Sequence, residues 1–422
     1  MSRGTASEGP GLRREPGFVL LWIAQTASIA GGQVRLVVLP VLAYQTTGSA
    51  SLTALLVTVQ AAPYLLFGLV AGAVSDRANR RAVMVTGDLV SAVSMASIPF
   101  ATTFGPLSTA HLFLAAAATG TAFVWHDSAL FGALPAIVGR DRLVGAYSVL
   151  VTTSQVLQIA ATALAGVLIA VIGPDRALWI DGACYTVSAL AILAVPGRLS
   201  STGTRSGPRP SLLTDVREGL RYVWDHPVVW PLTAAGFGSA VSSGAVIGLV
   251  VVYGIRRLGL ADDSPFIGWL FTALAAGGLL AGVCLPILSK RFSPPRVSLL
   301  GLAAMSVLLV LVAVNSSFPV GLVLLVVWGM SSTLVITNGI ALRQQLTPDR
   351  LQGRVNVTAR MIAYGGSPLG AALGGLLADH TSVRVTFLVM TVAVAASFAY
   401  AWRSPLRRLS AADVANMAEK AG

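Results

Sequence analysis

Four ionisable side chains stand inside long apolar runs of this chain: Arg35, Asp88, Asp127 and Asp181. A charged group at bilayer depth costs roughly 2.5–3.5 kcal/mol on insertion scales, so each should face a polar cavity or a partner of its own. Arg35 and Asp181 both lie in the outer halves of their runs and carry opposite charge, which predicts a buried pair. Asp88 stands about two turns from Arg81, where it would serve the basic residues of a neighbouring loop. Asp127 lies deepest by residue count, with His126 beside it. Adjacent helical residues point about 100° apart, so the two are not expected to share one cavity equally. A carboxyl at that depth is suited to taking up and releasing a proton; the alternative is a fixed partner for a basic loop residue. The second half of the chain has no acid inside an apolar run, so proton chemistry is expected in the first half.

Other chemistries lack their parts. An ATP-driven pump needs Gly-x4-Gly-Lys-Ser/Thr; the lysines here are Lys290 and Lys420, and neither follows such a loop. Four scattered histidines and isolated acids form no catalytic cluster, so the chain reads as a non-enzyme. Cys184 and Cys284 each sit within an apolar run, which indicates neither a disulfide framework nor a metal site. No cofactor is expected.

A different pattern lies between the second and third apolar runs. Gly68-Leu69-Val70-Ala71-Gly72 leads into Asp76-Arg77 and then Arg80-Arg81. Gly72 is one turn from Asp76, so neighbouring helix backbones can approach closely there. Asp76 at a helix end can accept bonds from a facing helix N-terminus, and the three arginines can reach carboxylates or carbonyls. The alternative is that these basic residues only fix topology. The motif returns in part 210 residues later as Gly278-Leu279-Leu280-Ala281-Gly282 with Lys290-Arg291, but with Pro286 where Asp76 stood. Asp141-Arg142-Leu143-Val144-Gly145 likewise returns as Asp349-Arg350-Leu351-Gln352-Gly353, and at the same offset Gly166 falls on Gly374. A weak repeat at half the length of a 422-residue chain is the sign of a two-bundle transporter.

The elements that must position these residues follow from composition. The chain is 55% hydrophobic and 11% charged, with mean hydropathy +0.76; that much apolar surface requires a bilayer as solvent. About twelve apolar stretches have the length to cross a ~30 Å hydrocarbon core as helices: 18–43, 51–74, 82–103, 109–133, 147–172, 177–196, 228–253, 265–288, 296–314, 318–341, 355–378 and 383–402. The stretches are continuously apolar rather than alternating, which makes helices the default over a barrel. The net charge of +12 is not a nucleic-acid signal: of 29 Lys and Arg, 24 fall on the side of the two tails and the loops after even-numbered spans. That asymmetry places both termini in the cytoplasm and the chain in the plasma membrane as a multi-pass protein. Residues 1–196 form an N-terminal bundle, 228–405 a C-terminal bundle and 406–422 a cytoplasmic tail. Between the bundles, 197–227 starts as a Ser/Gly/Pro/Arg-rich stretch. Helical spacing resumes over 212–225, predicting a short amphipathic helix that lies on the membrane surface or packs on the bundles.

The pattern Gly72-x3-Asp76-Arg77-x2-Arg80-Arg81 resembles the signature loop of the major facilitator superfamily. Thr47-Gly48-Ser49, Leu134-Pro135, Asp141-x-Leu143, Glu218-Gly219-Leu220-Arg221, His226-Pro227, Gly353-Arg354-Val355 and Pro368-Leu369-Gly370 resemble its macrolide-efflux and enterobactin-exporter-like branch. The resemblance implies an all-α integral membrane fold of twelve transmembrane helices in two pseudo-symmetric six-helix bundles. It also implies alternating access, export of a small molecule driven by an ion gradient, usually protons, and action as a monomer. It makes Gly72, Asp76, Arg77, Arg80 and Arg81 a cytoplasmic latch between the bundles. Spans one, four, seven and ten would line the central cavity, which puts Arg35, Asp127 and Asn338 there, with Phe123 and Trp125 among its aromatic lining. Such a pocket suits a bulky amphipathic substrate. Two departures stand out: Gly32 follows Ser28-Ile29-Ala30-Gly31 where the branch often has an acid, and span five has Ala160-Ala161-Thr162 where drug–proton antiporters often have Gly-Pro. An importer, a lipid flippase or a transport-inactive receptor are the competing readings.

Overall fold

A computed structural model describes residues 12, 15–75, 78–139, 141–197, 199, 212–348, 351–410, 412–414 and 416–417. Among them are thirteen α-helices and no strand: α1 (Pro16–Thr47), α2 (Ala50–Ser75), α3 (Arg80–Thr102), α4 (Thr109–Val138), α5 (Leu143–Ile172), α6 (Pro174–Ala194), α7 (Leu212–Asp225), α8 (Val229–Arg256), α9 (Phe266–Arg291), α10 (Pro294–Val314), α11 (Phe318–Leu346), α12 (Gln352–His380) and α13 (Val383–Arg403). Eleven are long and apolar enough to cross a membrane, and α12, at 29 residues, matches them in length. Backbone polar groups have no water to bond in hydrocarbon, and helices satisfy them internally. The helices break where the sequence supplies a turn: Gly173 takes φ 85° between α5 and α6, and Pro174 starts the next helix without needing a donor.

By contact the chain divides into two compact units, residues 1–38 with 62–205 and residues 39–61 with 206–422. In the first, α3 packs on α4 and α6. Close approach depends on small residues: a Cβ on Gly87 would lie 3.1 Å from the Ala122 carbonyl, and one on Gly182 3.2 Å from that of Ala92. Phe18, Leu21, Met84, Leu134 and Ile192 close one end of this unit as a buried cluster.

In the second unit α8 packs along α12, and α9 along α11. The α8–α12 crossing is made of glycine. Gly366, Gly370 and Gly374 repeat every fourth residue on one face of α12, opposite Gly244 and Gly248 on α8. A Cβ on Gly370 would stand 1.8 Å from the Val241 carbonyl oxygen, and one on Gly244 1.9 Å from that of Ser367. Lipid tails are as apolar as leucine, so such backbone-to-backbone contact, rather than burial from water, holds these helices together. The tip of the α1–α2 hairpin belongs here too, with Ala54 against Gly248 and Gly375. The amphipathic α7 spans 212–225 and packs against α12 and α8. Val223 is its buried contact, Tyr222 Oη donates to the Leu346 carbonyl at 2.8 Å, and Leu220 and Trp224 stay exposed.

Candidate functional site

The first unit holds two buried polar groupings. On α1, Arg35 Nη1 donates to Tyr185 Oη at 2.8 Å and stands 3.4 Å from Asp181 Oδ2, both acceptors being on α6. The guanidinium also lies 5.3 Å from the Tyr185 ring centroid. Asp181 is fully buried, and its Oδ1 has no hydrogen-bond partner among the described residues. The pair forms only because α1 and α6 meet at glycine: a Cβ on Gly31 would fall 2.4 Å from Asp181 Oδ1. A side chain at Gly32 would point toward Arg35 Nη2, 3.6 Å from its Cβ position. The carboxylate thus comes from α6 and not from α1.

The second grouping was not legible in the sequence. Asp88, expected to serve basic loop residues, is 1% exposed and turned inward. Its Oδ2 accepts from Ser188 Oγ on α6 at 2.6 Å, and its Oδ1 is 2.9 Å from His126 Nδ1 on α4. The ring nitrogen is not aligned with that oxygen, so the contact is a close polar approach and not an aligned hydrogen bond. The other ring nitrogen, Nε2, is 2.9 Å from Gln25 Nε2 on α1. Gln25, Asp88, His126 and Ser188 therefore join four helices through one buried imidazole. Arg80 and Arg81, two turns before Asp88, turn elsewhere. Arg80 donates to the Gly132 carbonyl at 2.9 Å and to that of Leu199, and Arg81 to the Val195 and Gly197 carbonyls. Both arginines fasten the start of α3 to α4 and to the end of α6. Asp76 and Arg77 lie outside the described residues, and Gly72 is described only as part of the α2 backbone.

Helical phase separates Asp127 from His126. Ala122, His126, Ala129 and Ala133 are buried on one face of α4, whereas Asp127 is half-buried on a face with Phe123 and Phe131, which are 50% and 54% exposed. Phe131 lies 6.3 Å from the Tyr147 ring on α5, and Tyr147 is within the electrostatic reach of Asp127. Trp125 points a third way, into a ~690 Å³ groove between α3 and α4 lined by Val83, Thr86 and Thr121. Phe123 and Trp125 thus do not line one surface. Asn338, expected in the cavity, is 4% exposed, because its Nδ2 donates to the Pro294 carbonyl at 2.5 Å and to Ser298 Oγ at 2.7 Å. Its amide ties α11 to the start of α10.

The second unit contains a polar contact that the sequence reading missed. Asp379, near the end of α12, accepts from Ser49 Oγ at 2.6 Å and from the Ala50 and Ser51 N–H groups at 2.8 Å each. It thereby caps the N-terminus of α2 from another helix, with the macrodipole favouring its charge. Arg256, closing α8, lies 3.5 Å from Asp379 and donates to Tyr44 Oη and the Gly48 carbonyl at 2.8 Å each. Partial burial works against ionisation of Asp379. The Ser49 hydroxyl and the Ser51 and Ala50 amides outweigh it and hold the pKa down at about 2.

Comparison with known proteins identifies what a helical chain with these buried polar networks resembles. Residues 11–421 match the family described as transmembrane secretion effector. The chain is 28% identical to the multidrug efflux pump Tap of Mycolicibacterium fortuitum, over 90% of this chain and 93% of that protein. It is 24% identical to the enterobactin exporter EntS of Shigella boydii, over 88% of each. Among solved structures, a bacterial homologue of the human lysosomal transporter Spinster superposes with TM-score 0.76 at 13% identity, covering 96% of this chain and 99% of that one. A bacterial homologue of ferroportin gives 0.72 at 18% identity, over 93% and 98%. These relatives are transporters and not enzymes. The chain belongs to the transmembrane secretion effector family, multi-pass membrane efflux transporters of the major facilitator superfamily.

Proposed function

We propose that this protein exports a bulky, amphipathic small molecule in exchange for protons, working as a monomer by alternating access in the plasma membrane with both termini cytoplasmic. The observation that carries the reading is Asp127: an acid on the half-open face of α4 that also bears Phe123 and Phe131. Aromatic surface supplies affinity for an apolar body, and a single carboxylate favours a polar or cationic group on it. A proton arriving at the same carboxylate competes with that group, which makes the two exchange. The names of the relatives, a multidrug efflux pump and an enterobactin exporter, support export of a small molecule. Arg35, paired with Asp181, holds α1 to α6 in this account. The loop carrying Gly72, Asp76 and Arg77 latches the cytoplasmic side, while Arg80 and Arg81 stiffen its base. The basic-residue asymmetry supports the orientation.

The test is substrate efflux from proteoliposomes with and without an imposed pH gradient, for wild type and Asp127→Asn. Wild-type efflux should rise with the gradient, and the variant should lose most of that rise, at least tenfold. Efflux indifferent to the gradient in wild type removes proton exchange. A rise surviving intact in the variant clears Asp127 of the role.

A further inference from the structure

The mechanism above uses Asp127 and leaves unexplained why a histidine is buried one residue away. His126 is 6% exposed at the depth of a membrane span, and its two nitrogens face different chemistry. Nδ1 faces the Asp88 carboxylate at 2.9 Å, and Nε2 faces the Gln25 carboxamide at 2.9 Å. We infer that the Asp88–His126 pair is a second binding site for the transported proton, in series with the substrate-competing Asp127, with the Gln25 carboxamide reporting its arrival to α1.

The inference rests on the proton-exchange reading and adds to Asp127 a second proton-binding group. In the arrangement described, Gln25 presents its amide nitrogen to Nε2, so that ring nitrogen offers its lone pair and the imidazole is neutral. The proton that this neutral ring carries is then on Nδ1, toward Asp88. A hydronium ion approaching Nε2 gives up its proton: an N–H bond forms, one O–H bond breaks and water is left. The imidazolium now donates from both nitrogens. Gln25 must turn its carboxamide over so that Oε1 accepts, a rotation that needs no backbone movement in itself. With the proton bound, the imidazolium and the Asp88 carboxylate sum to zero charge; without it, the pair carries one net negative charge at hydrocarbon depth. Imidazole is the side chain whose charge ordinarily changes between pH 5 and 8. A purely structural network needs no such group, since a glutamine or serine would bridge the same helices.

The charges around the pair leave it this role. Ser188 on α6 holds the second Asp88 oxygen at 2.6 Å. Tyr185, nearly one turn from Ser188 on α6, is within the electrostatic reach of Asp88, but its hydroxyl accepts from Arg35. Asp127 acts on His126 from the same helix and on Tyr147 of α5. Arg80 and Arg81 on α3 are bonded to carbonyls. Gly87 is what allows the pair to meet, since a Cβ there would be 3.1 Å from the Ala122 carbonyl and 3.5 Å from His126 Cβ.

The experiment has two arms. In the first, the full chain carries His111→Gln, His226→Gln and His380→Gln, so that His126 is the remaining histidine, and its ring nitrogens are followed by 15N NMR from pH 5 to 9. The ring should change protonation state within that window, with a midpoint displaced by at least one unit when Asp88→Asn is added. A ring that stays in one state throughout overturns the inference. In the second arm, ethidium, a planar amphipathic cation, is the probe in proteoliposomes. His126→Gln should lose the stimulation of ethidium efflux by a pH gradient at least tenfold relative to wild type. Stimulation intact in His126→Gln overturns the inference and leaves proton exchange standing. A wild type indifferent to the gradient, with His126 titrating normally, refutes proton exchange and with it the coupling role of the pair.

Discussion

At the scale of the residue, the Arg35–Asp181 contact shows what burial demands. Asp181 is fully buried, with only one oxygen matched, so removing Arg35 strands a charge where it has no solvent. Arg35→Ala and Asp181→Ala should each cost about 3–5 kcal/mol, and the double variant less than their sum, because the stranded charge disappears with its partner. Thermal unfolding of the four proteins in detergent measures the coupling; strict additivity would mean that the two charges do not interact. This pair was legible in sequence because two opposite charges stood at similar depth in apolar runs. Asp88 and His126 were not, because periodicity tells which face of a helix is buried and not which helix it meets. Asp88 is as close in sequence to Arg81 as a partner would be, yet its face of α3 turns toward α4 and α6. Asn338 failed for the same reason: a polar residue in a span expected to line the cavity instead donates to the Pro294 carbonyl and the Ser298 hydroxyl at the start of α10.

At the scale of the element, the helices are held by absent side chains. Gly370 meets the Val241 carbonyl, a backbone atom that cannot rotate away, whereas a Cβ on Gly282 of α9 meets nothing within 4 Å. Gly370→Ala should therefore force α12 from α8 and destabilise the protein by about 1–3 kcal/mol, and Gly282→Ala should be neutral within about 0.5 kcal/mol. Equal melting temperatures for the two variants would contradict the packing described here. The sequence showed Gly278-Leu279-Leu280-Ala281-Gly282 as an echo of a close-approach motif, but the tightest contacts with a facing helix backbone are at Gly370 of α12 and Gly244 of α8. The range of the 212–225 helix, by contrast, was written in its alternation of Leu213, Val216, Leu220 and Val223 with charged residues. Which of its two expected placements it took was not, since an apolar stripe fits a membrane surface and a helix bundle equally.

At the scale of the whole molecule, proton exchange requires some groups to titrate and others to stay fixed. Asp379 belongs to the second kind. A depressed carboxyl contributes stability above its ordinary pKa near 4 and loses it only as the pH falls through about 2. The contact with Ser49, Ala50, Ser51 and Arg256 should therefore be constant from pH 5 to 8. Asp379→Asn should cost about 1–2 kcal/mol, discounted for partial exposure, by the same amount throughout that range. A cost that changes between pH 5 and 8 would assign Asp379 a part in proton sensing. The central claim is that substrate leaving brings protons in, and linkage makes the flow reciprocal. The most direct measurement loads proteoliposomes with substrate and a trapped pH dye, imposes no pH gradient, and dilutes them into substrate-free buffer. In the population whose transporters release substrate outward, the account predicts acidification of the lumen that tracks substrate loss and vanishes when protonophore is added. Substrate loss at the wild-type rate with an unchanged lumen pH would contradict it.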